Sequence, residues 1–368
     1  MNMPRNILLG ISVLTIALII VYLERIKAPA RNSPTAERVI IQPKFEVVPG
    51  SETETDAAVA QEGVSSAPLK KMPNISVATK ELRYPRAIEI AGPTGFLNTP
   101  PLKLADIVGR KVILVDFWTY SCINCQRTLP YLNAWYEKYK DKGLEIVGIH
   151  TPEFEFEKDP KNVEAAIQKY GVRYPVVQDN NYSTWTAYGN RYWPRKYLID
   201  IDGFIVYDHI GEGAYDETEE KIRELLEERM ERLGMGKGLS EEKASPQNVT
   251  QVDFSKVGSP ETYFGSRRNE NFGSGSSGTT GRQTFTSPPS SAQNTLYLSG
   301  DWDIQPEYAE AKASGDRIVF RFNAKNVYLV ASAPTETTLR INIDGKEVRT
   351  LSVRAEDLYR IVELPDYG

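Results

Sequence analysis

A strand-like run leads directly into the two cysteines of this 368-residue chain. Residues 113–130 read ILVDFWTYSCINCQRTLP, and Cys122 and Cys125 are the only cysteines in the sequence. The apolar, β-branched and aromatic residues before them are typical of a buried strand, and residues 126–140 have helical periodicity. Because both thiols stand two residues apart between a strand and a helix, we expect them to act as a pair.

The position of each cysteine predicts a different chemical duty. Cys122 would stand at the helix N-terminus, where unpaired N–H groups and the helix dipole favour a thiolate nucleophile. Cys125 would lie one turn further on and resolve a mixed disulfide formed on Cys122. The alternatives are an inert disulfide or half of a zinc site with His150 and His209. A two-residue loop gains little from a disulfide, and zinc needs four ligands gathered together.

Composition narrows the classes of function. The formal net charge is −5, and no basic block is present that would track phosphates, which argues against nucleic acid as a partner. Two cysteines cannot build a disulfide framework, and two histidines leave few ligands for a metal cluster. We therefore expect a globular protein with no cofactor and no metal site.

The N-terminal region predicts a membrane anchor followed by a tether. The uncharged run from Ile7 to Leu23 would be about 26 Å long as a helix, close to the ~30 Å of a hydrocarbon core. Residues 1–27 are thus predicted to hold a single-pass transmembrane helix, with a cleavable signal peptide ending at Ala28-Pro29-Ala30 as the alternative. Residues 28–82 are rich in Pro, Ser, Thr and Glu and predict a flexible linker.

Two folded domains are expected beyond the tether. In residues 83–236 strand-like runs alternate with helical stretches near 126–140, 159–170 and 216–233, which predicts an α/β domain. Residues 237–247 are expected to be a second linker. In residues 248–368 short strand-like runs are separated by turn residues, which predicts an all-β, jelly-roll-like sandwich. The sequence ends within a strand pattern, as a truncated sandwich would.

The residues around the cysteines resemble the thioredoxin family. VDFWTYSCINC matches the family pattern VDFWAxWCxxC, with Asp116 six residues before Cys122 and Trp118 in register, although Ser121 replaces the usual tryptophan. RYWPRKYLIDIDG resembles the family's cis-proline loop, with Pro194 as that proline after Trp193. The resemblance implies a thioredoxin-like fold and a redox-active Cys122–Cys125 disulfide. It also implies a substrate contact surface, formed by four residues: Trp118, Tyr120, Trp193 and Pro194.

The segment between these landmarks resembles the central insertion of the TlpA and ResA branch. Glu153, in HTPEFEFEKDP, falls where that branch carries an acid near the cysteines. The resemblance implies that Asp116 and Glu153 are the candidate proton carriers for Cys125, a task suited to a carboxylate whose pKa burial has raised. The alternative for Glu153 is a solvated charge within an acidic run that includes Glu155 and Glu157.

Over residues 83–368 the chain resembles the exported part of DipZ-type proteins, where a thioredoxin-like domain with a YSCxNC motif precedes a carbohydrate-binding-like β domain. This resemblance implies a membrane-tethered thiol-disulfide oxidoreductase that reduces protein disulfides outside the cytoplasmic membrane. DipZ proteins begin with a multi-helix electron-carrying membrane domain that is not in this sequence. We therefore expect a separate CcdA-like membrane protein as the electron donor.

Two other functions are open at this point. The β domain could make the protein a glycan binder of the cell wall, through aromatic residues that would otherwise form a core: Tyr263, Phe264, Phe272, Tyr297 and Trp302. Thr119-x-x-Cys122 resembles the Thr-x-x-Cys of peroxiredoxins, which indicates a thiol peroxidase. However, Val115 stands where that family has a proline.

Overall fold

The computed structural model describes residues 6–11, 16–20, 76–236 and 238–367. Two short strands precede the first domain, β1 (Asn6–Ile11) and β2 (Ile16–Ile20). The elements of the first domain follow in chain order: α1 (Val77–Arg83), β3 (Gly95–Leu97), β4 (Val112–Trp118), α2 (Ile123–Tyr139), β5 (Leu144–His150), α3 (Pro160–Tyr170), β6 (Val176–Gln178), α4 (Ser183–Ala187), β7 (Arg195–Ile199), β8 (Ile205–Ile210) and α5 (Tyr215–Arg232). The three helices predicted from periodicity are therefore present, with bounds that differ by a few residues.

A six-stranded sheet with the order β3-β6-β5-β4-β7-β8 forms the centre of the first domain. Strand β4 pairs in parallel with β5 and antiparallel with β7. Every residue of β4 and β5 is buried, because other elements cover both faces of the sheet. Alternate residues of β4 enter different cores: Leu114 and Trp118 pack in one hydrophobic cluster, and Val115 and Phe117 in another. The α/β prediction is confirmed.

The first domain begins earlier in the chain than the sequence predicted. Helix α1 lies inside the range assigned to a flexible linker, residues 28–82, and its Lys80 is buried. The Lys80 ammonium donates to Asp200 at 2.7 Å, to Asp202 at 2.8 Å and to Glu228. A short helix has little periodicity of its own, and this one is held by ion pairs with residues more than 100 positions away. The rest of that linker lies outside the described residues.

The second predicted linker, residues 237–247, also packs on the first domain. Ala244 N–H donates to the Glu219 carboxylate at 2.6 Å, and Lys138 Nζ donates to the Lys243 carbonyl at 2.8 Å. Leu239 and Ala244 contact the hydrophobic cluster under α2. This segment is therefore a structured extension of the α/β domain.

The C-terminal domain is built from β-strands, as predicted. Its strands are β9 (Gly281–Phe285), β10 (Leu296–Ile304), β11 (Ala309–Ala311), β12 (Arg317–Arg321), β13 (Asn326–Ser332), β14 (Thr337–Ile343), β15 (Lys346–Val353) and β16 (Asp357–Glu363). Residues 296–299 of β10 pair with β12, while residues 300–304 pair with β9. The partner changes at Gly300, within the strand, where φ is +104° and a Cβ would overlap Asp316. A jelly-roll-like strand order stays a prediction.

Most of the aromatic residues considered for sugar stacking lie in the interior. Phe264, Phe272 and Trp302 are buried in the core of the sandwich. Tyr263 is buried at the contact with the first domain, and Tyr297 is half-buried. Because a sugar ring must reach the face of an aromatic side chain, the four buried rings favour the core alternative.

The N-terminal apolar run differs from its prediction where the structure describes it. The backbone of β1 pairs with β12 and β14, and that of β2 pairs with β11 and β13. Its peptide groups are thus hydrogen-bonded within sheets rather than along a helix, and apolar runs of this length suit either arrangement. Among the helices that the structure describes, none is long and apolar enough to cross a bilayer. A transmembrane helix over Ile7–Leu23 is not confirmed.

Candidate active site

The cysteine pair stands where β4 passes into α2. Cys122 is the N-cap residue of α2, and its Sγ accepts a hydrogen bond from the Cys125 N–H at 3.4 Å. The structure describes both residues as free thiols. The predicted placement of Cys122 at a helix N-terminus is confirmed. Its sulfur therefore lies at the end of the helix where backbone N–H groups lack partners within the helix, and the Cys125 N–H donates to it.

The two thiols differ in access to solvent, and Cys125 is the more deeply buried. Cys122 is 8% exposed and Cys125 is 1% exposed. Burial raises the pKa of the Cys125 thiol well above its ordinary value, and the hydrogen bond to Cys122 raises it further. Cys125 therefore needs a base before it can attack, whereas Cys122 is the one that a substrate reaches first.

A buried carboxylate and a buried lysine lie beneath Cys125. Asp116 and Lys196 face each other in the register of β4 and β7, and both are nearly inaccessible to solvent. Neither carboxylate oxygen of Asp116 has a hydrogen-bond partner among the described residues. Burial raises the pKa of Asp116 to about 7, against the opposing positive charge of Lys196. Asp116 can therefore exchange a proton near neutral pH, as a proton carrier for Cys125 must.

Lys196 was missed by the sequence analysis. Its ammonium donates to the Gly211 carbonyl at 3.1 Å, and burial lowers its pKa, while the charges of Asp116 and Cys125 raise it. The signal was available, because a lysine within the strand-like run KYLIDI has no reason to be mere surface. Its place opposite Asp116, however, depends on the antiparallel pairing of two distant segments.

The cis-proline loop is present as predicted. The Trp193–Pro194 peptide bond is cis, and Pro194 is buried. Trp193 is half-buried: its indole Nε1 donates to the Thr151 carbonyl at 3.0 Å, and its ring lies 4.2 Å from the Trp185 ring centroid. Both residues are held in place by the first domain itself.

The other two residues predicted to contact substrate are buried. Trp118 is fully buried and packs edge-on against His150, so it does not reach the surface. Tyr120 stacks on His150 at 5.8 Å, and its hydroxyl donates to the Glu356 carbonyl of the C-terminal domain at 3.3 Å. Trp118 therefore supports the site from within, and the C-terminal domain covers Tyr120.

Glu157 organises the loop before Cys122 and was also missed. Its carboxylate is fully buried and accepts hydrogen bonds from the Ser121 N–H and hydroxyl, at 3.2 and 2.7 Å. It also accepts from the N–H groups of Glu153 and Phe154, at 2.6 and 3.0 Å. The sequence places Glu157 in an acidic run for which a solvated charge was the alternative at Glu153, and nothing in the pattern of that run separates Glu157 from its neighbours. Ser121, which replaces the family's tryptophan, provides two of these donors.

Glu153 lies at the contact between the two domains. Its carboxylate accepts from the Tyr263 hydroxyl at 3.0 Å and from the Arg268 guanidinium at 2.7 Å. The charge of Asp116 raises the pKa of Cys125, whereas the Glu153 carboxylate is paired with Arg268 of the C-terminal domain. The geometry therefore favours Asp116 as the proton carrier, and the same role for Glu153 stays a prediction.

The zinc alternative has little support in the surroundings of the histidines. Burial lowers the pKa of His150 to about 3, and its ring packs between Trp118 and Tyr120. His209 Nε2 lies 3.3 Å from the Glu212 carbonyl. In the described part of the chain, the one group of acids close enough to hold a metal is Asp200, Asp202 and Glu228. The Lys80 ammonium already bonds all three.

The fold and site define a class of protein: a thioredoxin-like domain with a dithiol at a helix N-terminus, followed by a β domain. Comparisons with known proteins agree with this class. The AhpC/TSA family model matches residues 87–208, and the Thioredoxin like C-terminal domain matches residues 259–368.

DipZ of Mycobacterium tuberculosis is 39% identical over 290 residues, which cover 77% of this chain and 40% of DipZ. ResA of Bacillus anthracis, a thiol-disulfide oxidoreductase, is 32% identical over 129 residues, 35% of this chain and 71% of ResA. A solved thiol:disulfide interchange protein from Bacteroides sp. is 26% identical, with a TM-score of 0.32 over 38% of this chain and 90% of that one. The chain spans 40% of the length of DipZ. It belongs to the thioredoxin-like thiol-disulfide oxidoreductases of the TlpA, ResA and DipZ type.

Proposed function

We propose that this protein reduces disulfides of other proteins through Cys122 and Cys125. The observation that carries the proposal is the asymmetry of the two thiols: Cys122 is 8% exposed at a helix N-terminus, and Cys125 is buried where the charge of Asp116 acts on it. The Cys122 thiolate attacks one sulfur of a substrate disulfide. A mixed disulfide forms, and the second substrate sulfur leaves as a thiolate that takes up a proton.

Resolution then needs the buried thiol. Asp116 accepts the proton of Cys125, and the resulting thiolate attacks Cys122 Sγ, which releases the first substrate sulfur. The products are a reduced substrate and a Cys122–Cys125 disulfide, so two electrons have passed from the dithiol to the substrate. The released substrate thiolate takes up a proton from water. A CcdA-like membrane donor would return two electrons to the pair, and the proton held by Asp116 would return to Cys125. Donor and substrate proteins are proposals that rest on the family.

Trapping of mixed disulfides tests the assigned roles. Cys125→Ser should accumulate mixed disulfides on non-reducing gels, because the nucleophile remains and nothing resolves the product. Cys122→Ser should accumulate none and should lose insulin reduction altogether. The double serine variant is the control for non-specific bands. Trapping by Cys122→Ser alone would reverse the roles, and trapping by neither would favour an inert disulfide.

Two measurements define the reaction further. Peroxide turnover faster than insulin reduction would favour the thiol peroxidase alternative. The reduction potential of the Cys122/Cys125 pair, equilibrated against glutathione, distinguishes a reductant from an oxidant. A potential well below that of glutathione would support reduction of substrates.

We further propose that the catalytic domain works outside the cytoplasmic membrane, where protein disulfides persist. The same N-terminal residues cannot both cross a bilayer and pair in the sandwich. Alkaline extraction of isolated membranes separates these cases: retention of the full chain supports a single-pass anchor, and release contradicts it. A reporter fused after residue 368 should be active only outside the cytoplasm.

A further inference from the structure

The C-terminal domain packs on Ile123, one of the two residues between the cysteines. Ile123 is 7% exposed and packs in one hydrophobic cluster with Phe154 of the first domain. The same cluster contains Val330 of β13 and Leu358 of β16. Exchange requires the Cys122 sulfur to touch a disulfide sulfur of the substrate. Cys122 is 8% exposed, and the C-terminal domain packs on its neighbour Ile123, so a polypeptide that approaches Cys122 from this side meets that domain.

A charged contact holds the two domains together beside this cluster. The side chains of Glu153 and Arg268 form an ion pair at 2.7 Å and are 7% and 20% exposed. Arg268 also lies 3.8 Å above the Tyr263 ring, and the Tyr263 hydroxyl donates to Glu153. Removal of one partner of such a pair leaves the other charge buried and unpaired, a cost that is relieved when the domains separate and water enters.

The rim of this interface is polar and incompletely filled. Asn162 donates to the Glu356 carboxylate at 2.8 Å, and Lys169 pairs with Asp357 at 2.5 Å. Between α3 and the facing loops of the sandwich lies a cavity of about 710 Å³, with Tyr120 in its lining. Interfaces with such voids and exposed ion pairs resemble separable domain contacts rather than a continuous core.

We propose that the surface around Ile123, Phe154 and Glu153 is the docking surface for protein substrates, and that the sandwich covers it in this structure. The sandwich must move aside before Cys122 can attack a protein disulfide. Small reagents need no such movement. This inference rests on the proposed exchange at Cys122 and adds where the substrate binds.

The sandwich residues that contact the docking surface indicate which partner fits it. The sandwich places aliphatic side chains, Val330 and Leu358, against Ile123 and a cation, Arg268, against Glu153. A substrate that replaces it must satisfy the same groups. The docking surface therefore fits a polypeptide that carries an aliphatic side chain and a basic residue next to its disulfide.

Alkylation of Cys122 by a small and a large reagent tests whether the sandwich covers the docking surface. In a Cys125→Ser background, the rate with N-methylmaleimide is compared with that of a maleimide that bears a polyethylene glycol chain. Arg268→Gln should raise the large-to-small rate ratio by at least about tenfold, because it leaves the Glu153 charge unpaired in the closed arrangement. Leu358→Asp should do the same by placing a charge against Ile123.

Arg282→Gln is the matched control. Arg282 pairs with Asp301 within the sandwich and is 67% exposed, so its loss should leave the ratio unchanged. An unchanged ratio in both Arg268→Gln and Leu358→Asp would contradict the proposal that the sandwich covers the docking surface. If that ratio is unchanged and the wild type reduces insulin, the proposed exchange at Cys122 is supported, and only the proposal that the sandwich covers the docking surface is wrong. If the ratio rises but no variant with both cysteines reduces insulin, the proposed function fails and the docking role fails with it.

Two peptide disulfides that differ only in an Arg or a Glu beside the cysteine test the chemistry of the docking surface. With Arg268→Gln and Cys125→Ser combined, the Arg peptide should form the mixed disulfide faster, and Glu153→Gln should remove the difference. Resolution is blocked in this background, so a proton-carrier role of Glu153 does not affect the result. Equal rates, or a faster Glu peptide, would overturn the stated partner chemistry.

Discussion

The first domain contains two buried lysines with opposite surroundings. Lys80 bonds three carboxylates at the edge of the domain, and its pKa is raised because those bonds outweigh the effect of burial. Lys196 donates to one carbonyl, and burial lowers its pKa. The Asp116 carboxylate opposite Lys196 accepts no hydrogen bond from any residue that the structure describes.

This difference separates a structural cluster from a chemical one. Buried polar groups are normally satisfied, and the hydrogen bonds of a saturated cluster hold its side chains in place. An unsatisfied carboxylate with a pKa of about 7 changes its protonation easily around neutral pH. The saturated cluster ties α1 to the sheet, and the unsatisfied pair lies beside the resolving thiol.

The largest expected effect is at the saturated cluster. Lys80→Met should lower the free energy of unfolding by about 3–5 kcal/mol, because three carboxylates lose their common partner. The loss should be smaller at pH 5 than at pH 8, since the carboxylates can then take up protons. Urea unfolding at both pH values measures it. Arg232→Gln is the control, because Arg232 also pairs with Asp202 but is 30% exposed. Asp202 retains its ion pair with Lys80 in this variant, so the free energy of unfolding should fall by about 1 kcal/mol or less. An equal decrease in the free energy of unfolding in Lys80→Met and Arg232→Gln would contradict the assignment of the Lys80 cluster as the structural one.

Asp116→Asn should slow one step of the exchange reaction. Resolution of the mixed disulfide should slow by about 100-fold, the usual contribution of a positioned base, while the first attack by Cys122 is nearly unchanged. Single-turnover release of a thiol substrate measures resolution, and alkylation of Cys122 measures the first attack. A matched slowing of both steps would show that Asp116 is not specific to Cys125.

The same variant makes a prediction about pH and stability. The folded pKa of Asp116, about 7, lies above the unfolded value of about 3.8, so the unfolded chain releases this proton first. The contribution of Asp116 to stability is therefore present below pH 4 and is lost as the pH rises to 7. Relative to the wild type, Asp116→Asn should gain stability between pH 5 and pH 8 in urea unfolding. A loss of stability over that interval would contradict the raised pKa.

The smallest expected effect is a shift in a pH profile. Lys196→Met removes the positive charge that lowers the pKa of Asp116, so the midpoint of the resolution rate should move upward by about one pH unit or more. Lys196→Arg keeps the charge and should keep the midpoint near that of the wild type. Stopped-flow resolution rates from pH 5 to pH 9 measure the shift. A midpoint that moves downward would show that Lys196 does not act through Asp116.

Local signals explain why the centre of the site was predictable. The apolar run before Cys122 and the helical period after Cys125 lie within a few residues of each other, so the strand, the thiols and the helix follow from neighbouring residues. Resemblance over two short segments, VDFWTYSCINC and RYWPRKYLIDIDG, predicted the roles of Asp116 and Pro194. Helix α1 was missed for the complementary reason: its Lys80 is held by residues that lie far away in the chain.

The sequence by itself determined an α/β domain with a dithiol at a helix N-terminus and a β domain after it. Only the tertiary structure paired Lys196 with Asp116, buried Glu157 under Ser121 and joined Glu153 to Arg268 of the other domain. The same acidic run supplied a buried loop anchor and a domain contact, because burial depends on what packs against a residue and not on its neighbours in sequence. Local patterns report the period of a strand or helix. The partner of a charged side chain can lie more than 100 residues away, as Arg268 does from Glu153, and only the folded structure brings the two together.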